Sequence, residues 1–267
     1  MQVSRPVQRL SFGAGAVTSG GRTLPEEVAV ALSFNGSTQA VMMATPEDLV
    51  DFAYGFALTE GIATPAEIES VEVVELPKGV DVQIWLQPQA EARLARRRRT
   101  MTGPVGCGLC GIDSLDEAVR KMAPVAKSSF TLRPSQVNQA IAALRDAQPL
   151  HDATRAVHAA GFWSHGLLAA REDVGRHNAL DKLVGAMVRA GTQPDGAILL
   201  TSRVSIDMVQ KVAALGAPML IAVSAPTAHA VTMADEAGIT LIALAKQDRF
   251  EVFTHSDRLI PETADVA

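Results

Sequence analysis

Cys107 and Cys110 are the only two thiols in the chain, set in Thr102-Gly103-Pro104-Val105-Gly106-Cys107-Gly108-Leu109-Cys110-Gly111. Four glycines frame them. Glycines let the backbone expose sulfur and turn its own N–H groups toward it. Such N–H groups, with the upstream arginines 96–99, would raise the thiolate fraction. A thiolate can accept a sulfane sulfur as a persulfide, and a second thiol nearby can relay or release it. Three chemistries compete for C-x-x-C spacing. A thioredoxin-like redox pair calls for a helix N-terminus after an early strand in a smaller domain, and that context is missing. A zinc site needs two further ligands, yet the histidines at 151, 158, 165, 177, 229 and 255 show no tight pairing. The deaminase pattern H-x-E … P-C-x-x-C is absent, since Pro104 is not adjacent to Cys107. Sulfur transfer remains, and the glycine frame argues against two merely buried small side chains. The run Arg96-Arg97-Arg98-Arg99 reads first as a solvated helix end. The sharper alternative is attraction of an acidic protein or phosphorylated ligand to the cysteine loop.

A second dense string is Arg171-Glu172-Asp173-Val174-Gly175-Arg176-His177-Asn178-Ala179-Leu180-Asp181-Lys182, at an expected strand-to-helix junction. Cations at a helix start oppose the helix dipole, a mild pointer to a site. The plainer reading is that Asp173 pairs with Arg176 or His177 to hold the turn. His158 and His229 read as structural histidines.

The chain that must position these groups has 267 residues, 48% hydrophobic and 20% charged, enough for one large domain or two ordinary ones. A disulfide scaffold and a four-Cys zinc site are excluded by the cysteine count. A net charge of −5 argues against a general nucleic-acid coat, though not against a local basic patch. No signal-peptide run follows the N-terminus, and runs such as Met219–Val223 are too short to span a bilayer. The expectation is a cytoplasmic protein with reduced thiols and no structural metal, nucleic acid or membrane partner.

Gly and Ser over 11–21 suggest a flexible or extended arm. Residues 28–34 and 39–44 read as a hairpin turning at Asn35-Gly36. Thr45-Pro46-Glu47-Asp48 is expected to open a helix, capped by Thr45 and stopped by Gly61. Residues 67–76 and 80–86 form another expected hairpin, which makes a ββαββ roll. Helices are expected at 89–99, 113–122, 134–147 and 176–189, and strands at 155–162 and 165–172. The runs starting at Ala197, Met219 and Thr240 lie 22 and 21 residues apart. That is βαβαβ spacing with buried parallel strands. The tail after Pro261 reads as loose.

In open α/β sheets ligands bind beyond the carboxyl ends of the strands. Those ends are Ser202-Arg203, Ser224-Ala225-Pro226-Thr227 and Lys246-Gln247-Asp248-Arg249. Their hydroxyls and cations suit phosphate, and suit plain helix capping equally well.

The string Gly106–Gly111, the string Glu172–Lys182, Ser202-Arg-Val-Ser-Ile-Asp-Met-Val-Gln-Lys211 and Ser224–Thr227 together resemble the FdhD family. The likeness extends from Val41 to Ser256. These are sulfurtransferase accessory proteins required for formate dehydrogenase activity. The resemblance implies a small N-terminal α+β roll over 1–130, with the C-x-x-C loop at its end. A cytidine-deaminase-like α/β/α layered domain over 131–267 would follow, without deaminase zinc. It implies sulfur taken from a cysteine desulfurase as a persulfide on Cys107, with Cys110 assisting. The sulfur would pass to the molybdenum (or tungsten) bis-guanine-dinucleotide cofactor, for delivery to formate dehydrogenase by a homodimer. Leu244-Ala245-Lys246-Gln247-Asp248-Arg249 would bind that cofactor, together with Ser202, Arg203, Ser224 and Thr227. Two positions depart from the family pattern. Thr154-Arg155-Ala156 stands where many relatives carry Thr-Gly-Gly, and Ala245-Lys246 where they often carry Ala-Arg. The competing readings are a non-catalytic cofactor-binding chaperone and a dithiol oxidoreductase.

Overall fold

The computed structural model describes residues 1–13, 15–100, 122–246 and 248–262, with the backbone alone over 95–100. Cys107, Cys110, Gln247 and the expected helix over 113–122, save Met122, lie outside the described residues, as do 263–267 of the tail. The side chains of Arg96–Arg99 are likewise outside them.

Asn35 and Gly36 both take left-handed φ, 47° and 74°. This is the tight turn that joins antiparallel strands with matching twist. It connects β3 (Val28–Phe34) to β4 (Ser37–Ala44). After helix α1 (Leu49–Thr59) come β5 (Ile68–Leu76) and β6 (Gly79–Leu86). The sheet order is β4-β3-β6-β5, with β3 and β6 parallel in its middle. Alternate residues Val30, Leu32, Phe34, Val80, Val82 and Ile84 bury against Phe52, Ala53 and Phe56 of α1. The ββαββ roll is as the alternation predicts.

One local expectation is corrected, and the extended alternative of another is made definite. The helix expected from Thr45 begins at Leu49, after Asp48 with φ 54°. Thr45 is engaged elsewhere: its N–H donates to Asp173 (3.0 Å) and its hydroxyl accepts from the Val174 N–H (3.1 Å). The Gly/Ser-rich N-terminus is a two-stranded ribbon, β1 (Ser4–Gly13) paired antiparallel with β2 (Ala16–Pro25). Pairing satisfies the backbone polar groups that face the partner strand, although Leu10, Phe12 and Val17 stay exposed.

Helix α2 (Pro88–Thr100) follows the roll. From Met122 onward the chain joins the second layer system, where the Val125 N–H donates to the Ala237 carbonyl (2.9 Å). Helix α3 (Pro134–Asp146) is as expected, and a short helix α4 (Pro149–Thr154), which the sequence did not suggest, comes next. Pro149 opens α4, and it displaces the next strands to β7 (His158–Trp163) and β8 (Leu167–Asp173).

Then come α5 (Arg176–Arg189), β9 (Ala197–Leu200), α6 (Ile206–Leu215), β10 (Met219–Ala222), α7 (Ala228–Glu236), β11 (Thr240–Ala243) and β12 (Glu251–Val252). The six-stranded order is β12-β11-β10-β9-β7-β8, with β9, β10 and β11 parallel. All three parallel strands are wholly buried because both faces are covered. Ile198, Leu200, Leu220 and Leu241 face α5, α6 and α7. Ala197, Leu199, Met219 and Ile242 face α3. The second half is a mixed α/β layered fold. Among the described residues, no helix is long and apolar enough to cross a membrane.

The two halves meet where α1 crosses α5. A Cβ at Gly55 would stand 1.7 Å from the Asp181 carbonyl oxygen, and one at Gly185 would stand 1.8 Å from that of Asp51. Only glycine permits backbones that close.

Candidate functional site

The dense string Arg171–Lys182 turns out to fasten this crossing. Asp173 and Lys182 are both fully buried, with Lys182 Nζ 2.6 Å from Asp173 Oδ2. Lys182 also donates to the Thr45 carbonyl (2.9 Å). Asp173 accepts from the N–H groups of Thr45 and Gly175 and from Asn178. It pairs with neither Arg176 nor His177. A buried charge pair tolerates its desolvation only when the remaining valences are filled in this way.

A second buried group sits one turn along. Lys211 Nζ reaches Asp181 (2.9 Å), Glu60 (2.9 Å) and Thr59 (3.0 Å). Burial works against the Lys211 charge, but Asp181 and Glu60 outweigh it and push the ammonium above its ordinary value. On the rim, Arg171 grips Asp51 through Nε (2.9 Å) and Nη2 (2.8 Å). Arg189 also bonds Asp51. Most polar groups of the string are therefore spoken for by the joint between the halves.

His177 is different. It sits at the start of α5 and hydrogen-bonds Asp207 in the first turn of α6, to which Ser205 also donates (3.0 Å). Burial raises the Asp207 carboxyl, but the His177 and Ser205 bonds prevail and hold it at about 2.

The carboxyl ends of the parallel strands open into a cavity of about 780 Å³. Thr201, Val223 and Ala245-Lys246 bring the ends of β9, β10 and β11 to it. Ile141 and Leu144 of α3, with Val157, give it an apolar floor. Arg145, Arg155 and Lys246 supply fixed cations, His151 and His158 supply imidazoles, and no Asp or Glu is among its described lining residues. In a chain of net charge −5 this is a local inversion of sign. An apolar floor under a cationic rim suits a flat base that carries phosphate.

The wall is braced from behind. The Glu172 carboxylate accepts the N–H groups of Leu150 (2.8 Å) and His151 (2.7 Å), which pins α4 to β8. Burial nevertheless pushes the Glu172 carboxyl above its ordinary value. Burial, then the nearby Arg176 charge, lowers His158 below the ordinary imidazole value. Thr201, just past β9, accepts the Ala159 N–H (2.9 Å) and so ties the end of β9 to the start of β7.

Of the expected binding residues, Ala245 and Lys246 line the cavity. Leu244 sits just before them with φ 52°, and the Lys246 N–H donates to the Arg249 carbonyl (2.8 Å). Ser202, Arg203, Ser224, Leu244, Asp248 and Arg249 are not among the lining residues. Thr227 caps α7 by accepting the Ala230 N–H (3.2 Å). Sequence reasoning missed Arg145, His151, Arg155, His158 and Thr201 as partners of one space. Their convergence depends on β7 pairing antiparallel with β9, a long-range event with no local signature.

Residues 25–260 match the family model described as the FdhD/NarQ family. The chain is 53% identical over 260 residues to a protein of Agrobacterium fabrum named sulfur carrier protein FdhD, covering 96% of each chain. It is 49% identical over 263 residues to a Brucella abortus protein of the same name, covering 97% of this chain and 98% of that one. A crystal structure described as a formate dehydrogenase accessory protein from Desulfotalea psychrophila superposes with a TM-score of 0.78 at 25% identity. It covers 97% of this chain and 100% of that one.

Proposed function

Because the chain belongs to the FdhD/NarQ family, we propose that it is a sulfurtransferase that carries sulfur as a cysteine persulfide from a cysteine desulfurase to the molybdenum bis-guanine-dinucleotide cofactor, as formate dehydrogenase activity requires. The observation that supports a dinucleotide substrate is the cation-rimmed cavity at the carboxyl ends of β9, β10 and β11, whose described lining carries no acid. Its floor accepts a base, and Arg145 and Lys246 offer charge to its phosphates. Leu244, Asp248, Arg249, Ser202, Arg203 and Ser224 are assigned to the periphery of that site, and Gln247, outside the described residues, is assigned to cofactor binding. Thr227 serves its helix as a cap.

Cys107 is assigned the sulfur. Its thiolate attacks the sulfane sulfur of the desulfurase persulfide. A new S–S bond forms as the old one breaks, and the donor cysteine leaves as thiolate. Cys110 is assigned the assisting role. The remaining assignments are a cytidine-deaminase-like second domain (131–267) after the roll domain (1–130), a homodimer, and a reducing cytoplasmic setting. Separate cores in the two halves support the division.

Incubation with a cysteine desulfurase and cysteine, followed by mass spectrometry, should add about 32 Da, one sulfur, at Cys107. Cys107→Ala should abolish the adduct and formate dehydrogenase activation while leaving thermal unfolding unchanged. Full activation by the double Cys107/Cys110 alanine variant would overturn the assignment. Tight guanine-nucleotide binding without any adduct would favour the cofactor-binding chaperone instead.

A further inference from the structure

Six described non-glycine residues hold left-handed φ: Asn35, Asp48, Arg155, His165, Leu244 and His255. Four of them serve turns or helix ends away from the cavity. Arg155 (φ 58°) lines the cavity, and Leu244 (φ 52°) directly precedes the lining pair Ala245-Lys246. A side chain with a Cβ is disfavoured in this region, and such outliers gather at ligand sites. Arg155 ends α4 as its left-handed cap, a position that glycine or asparagine fills more easily.

Arg155 is also poorly occupied where it stands. Its guanidinium is paired with Asp152, three residues earlier, at 3.2 Å, with both side chains 60% exposed. A pair that open to water is weak and easily exchanged. Its backbone is held firmly by contrast: the Arg155 N–H donates to the His151 carbonyl (2.6 Å), and Thr154 is bonded to Leu150 (2.7 Å). A fixed backbone therefore carries a loosely engaged fork at the rim of a cavity whose described lining holds no acid.

We infer that Arg155 is a phosphate clamp of this cavity, releasing Asp152 to take a phosphate of the bound nucleotide in bidentate fashion. This rests on the nucleotide reading of the cavity. The planar fork of Arg155 supplies two parallel N–H donors, whereas Lys246 in the same lining offers a point charge. Binding geometry is thereby divided between the two: Lys246 attracts, and Arg155 orients. Arg155 is thus a determinant for phosphorylated over unphosphorylated nucleoside.

The experiment is calorimetric titration of the full chain with GDP and with guanosine. Arg155→Gly relieves the left-handed backbone, so its melting temperature should rise. Its GDP affinity should nonetheless fall about tenfold, in line with loss of a charge-assisted hydrogen bond, while guanosine binding is unchanged. Arg155→Asn, which tolerates the same φ, should lose GDP affinity equally. Asp152→Ala frees the guanidinium and should tighten GDP binding, and that gain should vanish when Asp152→Ala is combined with Arg155→Gly, whereas a gain that persists there would mean only a general change of field. Wild-type GDP binding that survives Arg155→Gly unchanged overturns the clamp alone. Wild-type protein that binds neither GDP nor guanosine overturns the nucleotide reading, and the clamp with it.

Discussion

Lys182 Nζ lies 2.6 Å from Asp173 Oδ2 with both side chains wholly out of water, and the pair spans the joint between the roll and the layered half through Thr45. Removing one partner leaves the other charged and buried. Lys182→Met should therefore cost about 3–5 kcal/mol of stability, read as a lowered urea midpoint. Lys182→Met combined with Asp173→Asn should cost less than the sum of the two single changes, since the interaction is then removed from both sides. Additive losses would show that the two residues act independently.

Gly185→Ala should destabilise the protein by about 1–3 kcal/mol through overpacking. Its Cβ would meet the Asp51 carbonyl oxygen, and α5 cannot retreat without disturbing the sheet beneath it. Gly20→Ala in the ribbon, where a Cβ meets nothing within 4 Å, is the control and should leave the urea midpoint nearly unchanged.

The Asp207 carboxyl is held at about 2, below the ordinary aspartate value of 3.8. A depressed folded-state value means that the ionised form favours folding. That contribution is complete above about pH 4 and is lost as pH falls through about 2. Asp207→Asn should lower stability at pH 7, and its deficit relative to wild type should shrink over that acid window. Urea midpoints measured at several pH values would show it. A deficit constant across the window would mean that the Asp207 charge is not what matters.

Lys246→Gln should weaken GDP binding by roughly tenfold to a hundredfold, the loss of a charged hydrogen bond. Lys246→Arg should restore or improve it, because the fork adds geometry to charge. Titration at two salt concentrations should also show a shallower salt dependence for the glutamine variant. Equal GDP affinity in all three proteins would remove Lys246 from the site.

Much of the fold was legible because local patterns carried it. The Asn35-Gly36 turn, the stripe of α5 and the even spacing of β9, β10 and β11 each depend on residues close in sequence. The start of α1 was misread for a long-range reason. Thr45 looks like a cap, but Asp173 and Val174, more than a hundred residues away, take its N–H and hydroxyl. The same holds for the site. Lys246 was found because strand ends in α/β sheets bind ligands, whereas Arg155 stood out in sequence only as a departure and His158 only as a structural residue. The dense string at 171–182 suggested chemistry, yet most of its charged groups hold two halves together. Charged residues on a helix buried on nearly all sides carry the same letters as a catalytic cluster.

The glycine crossing of α1 over α5 sets terms for how this chain can be recombined. Asp51 is matched to Arg171 and Arg189, Thr59 and Glu60 to Lys211, and Thr45 to Asp173 and Lys182. A chimera that takes its roll from one relative and its layered half from another imports one side of each of these matches. Breakpoints between the halves should be tolerated only where the donor carries the same glycines and the same partners. The joint is inherited as a single unit even though its sequence is written in two places.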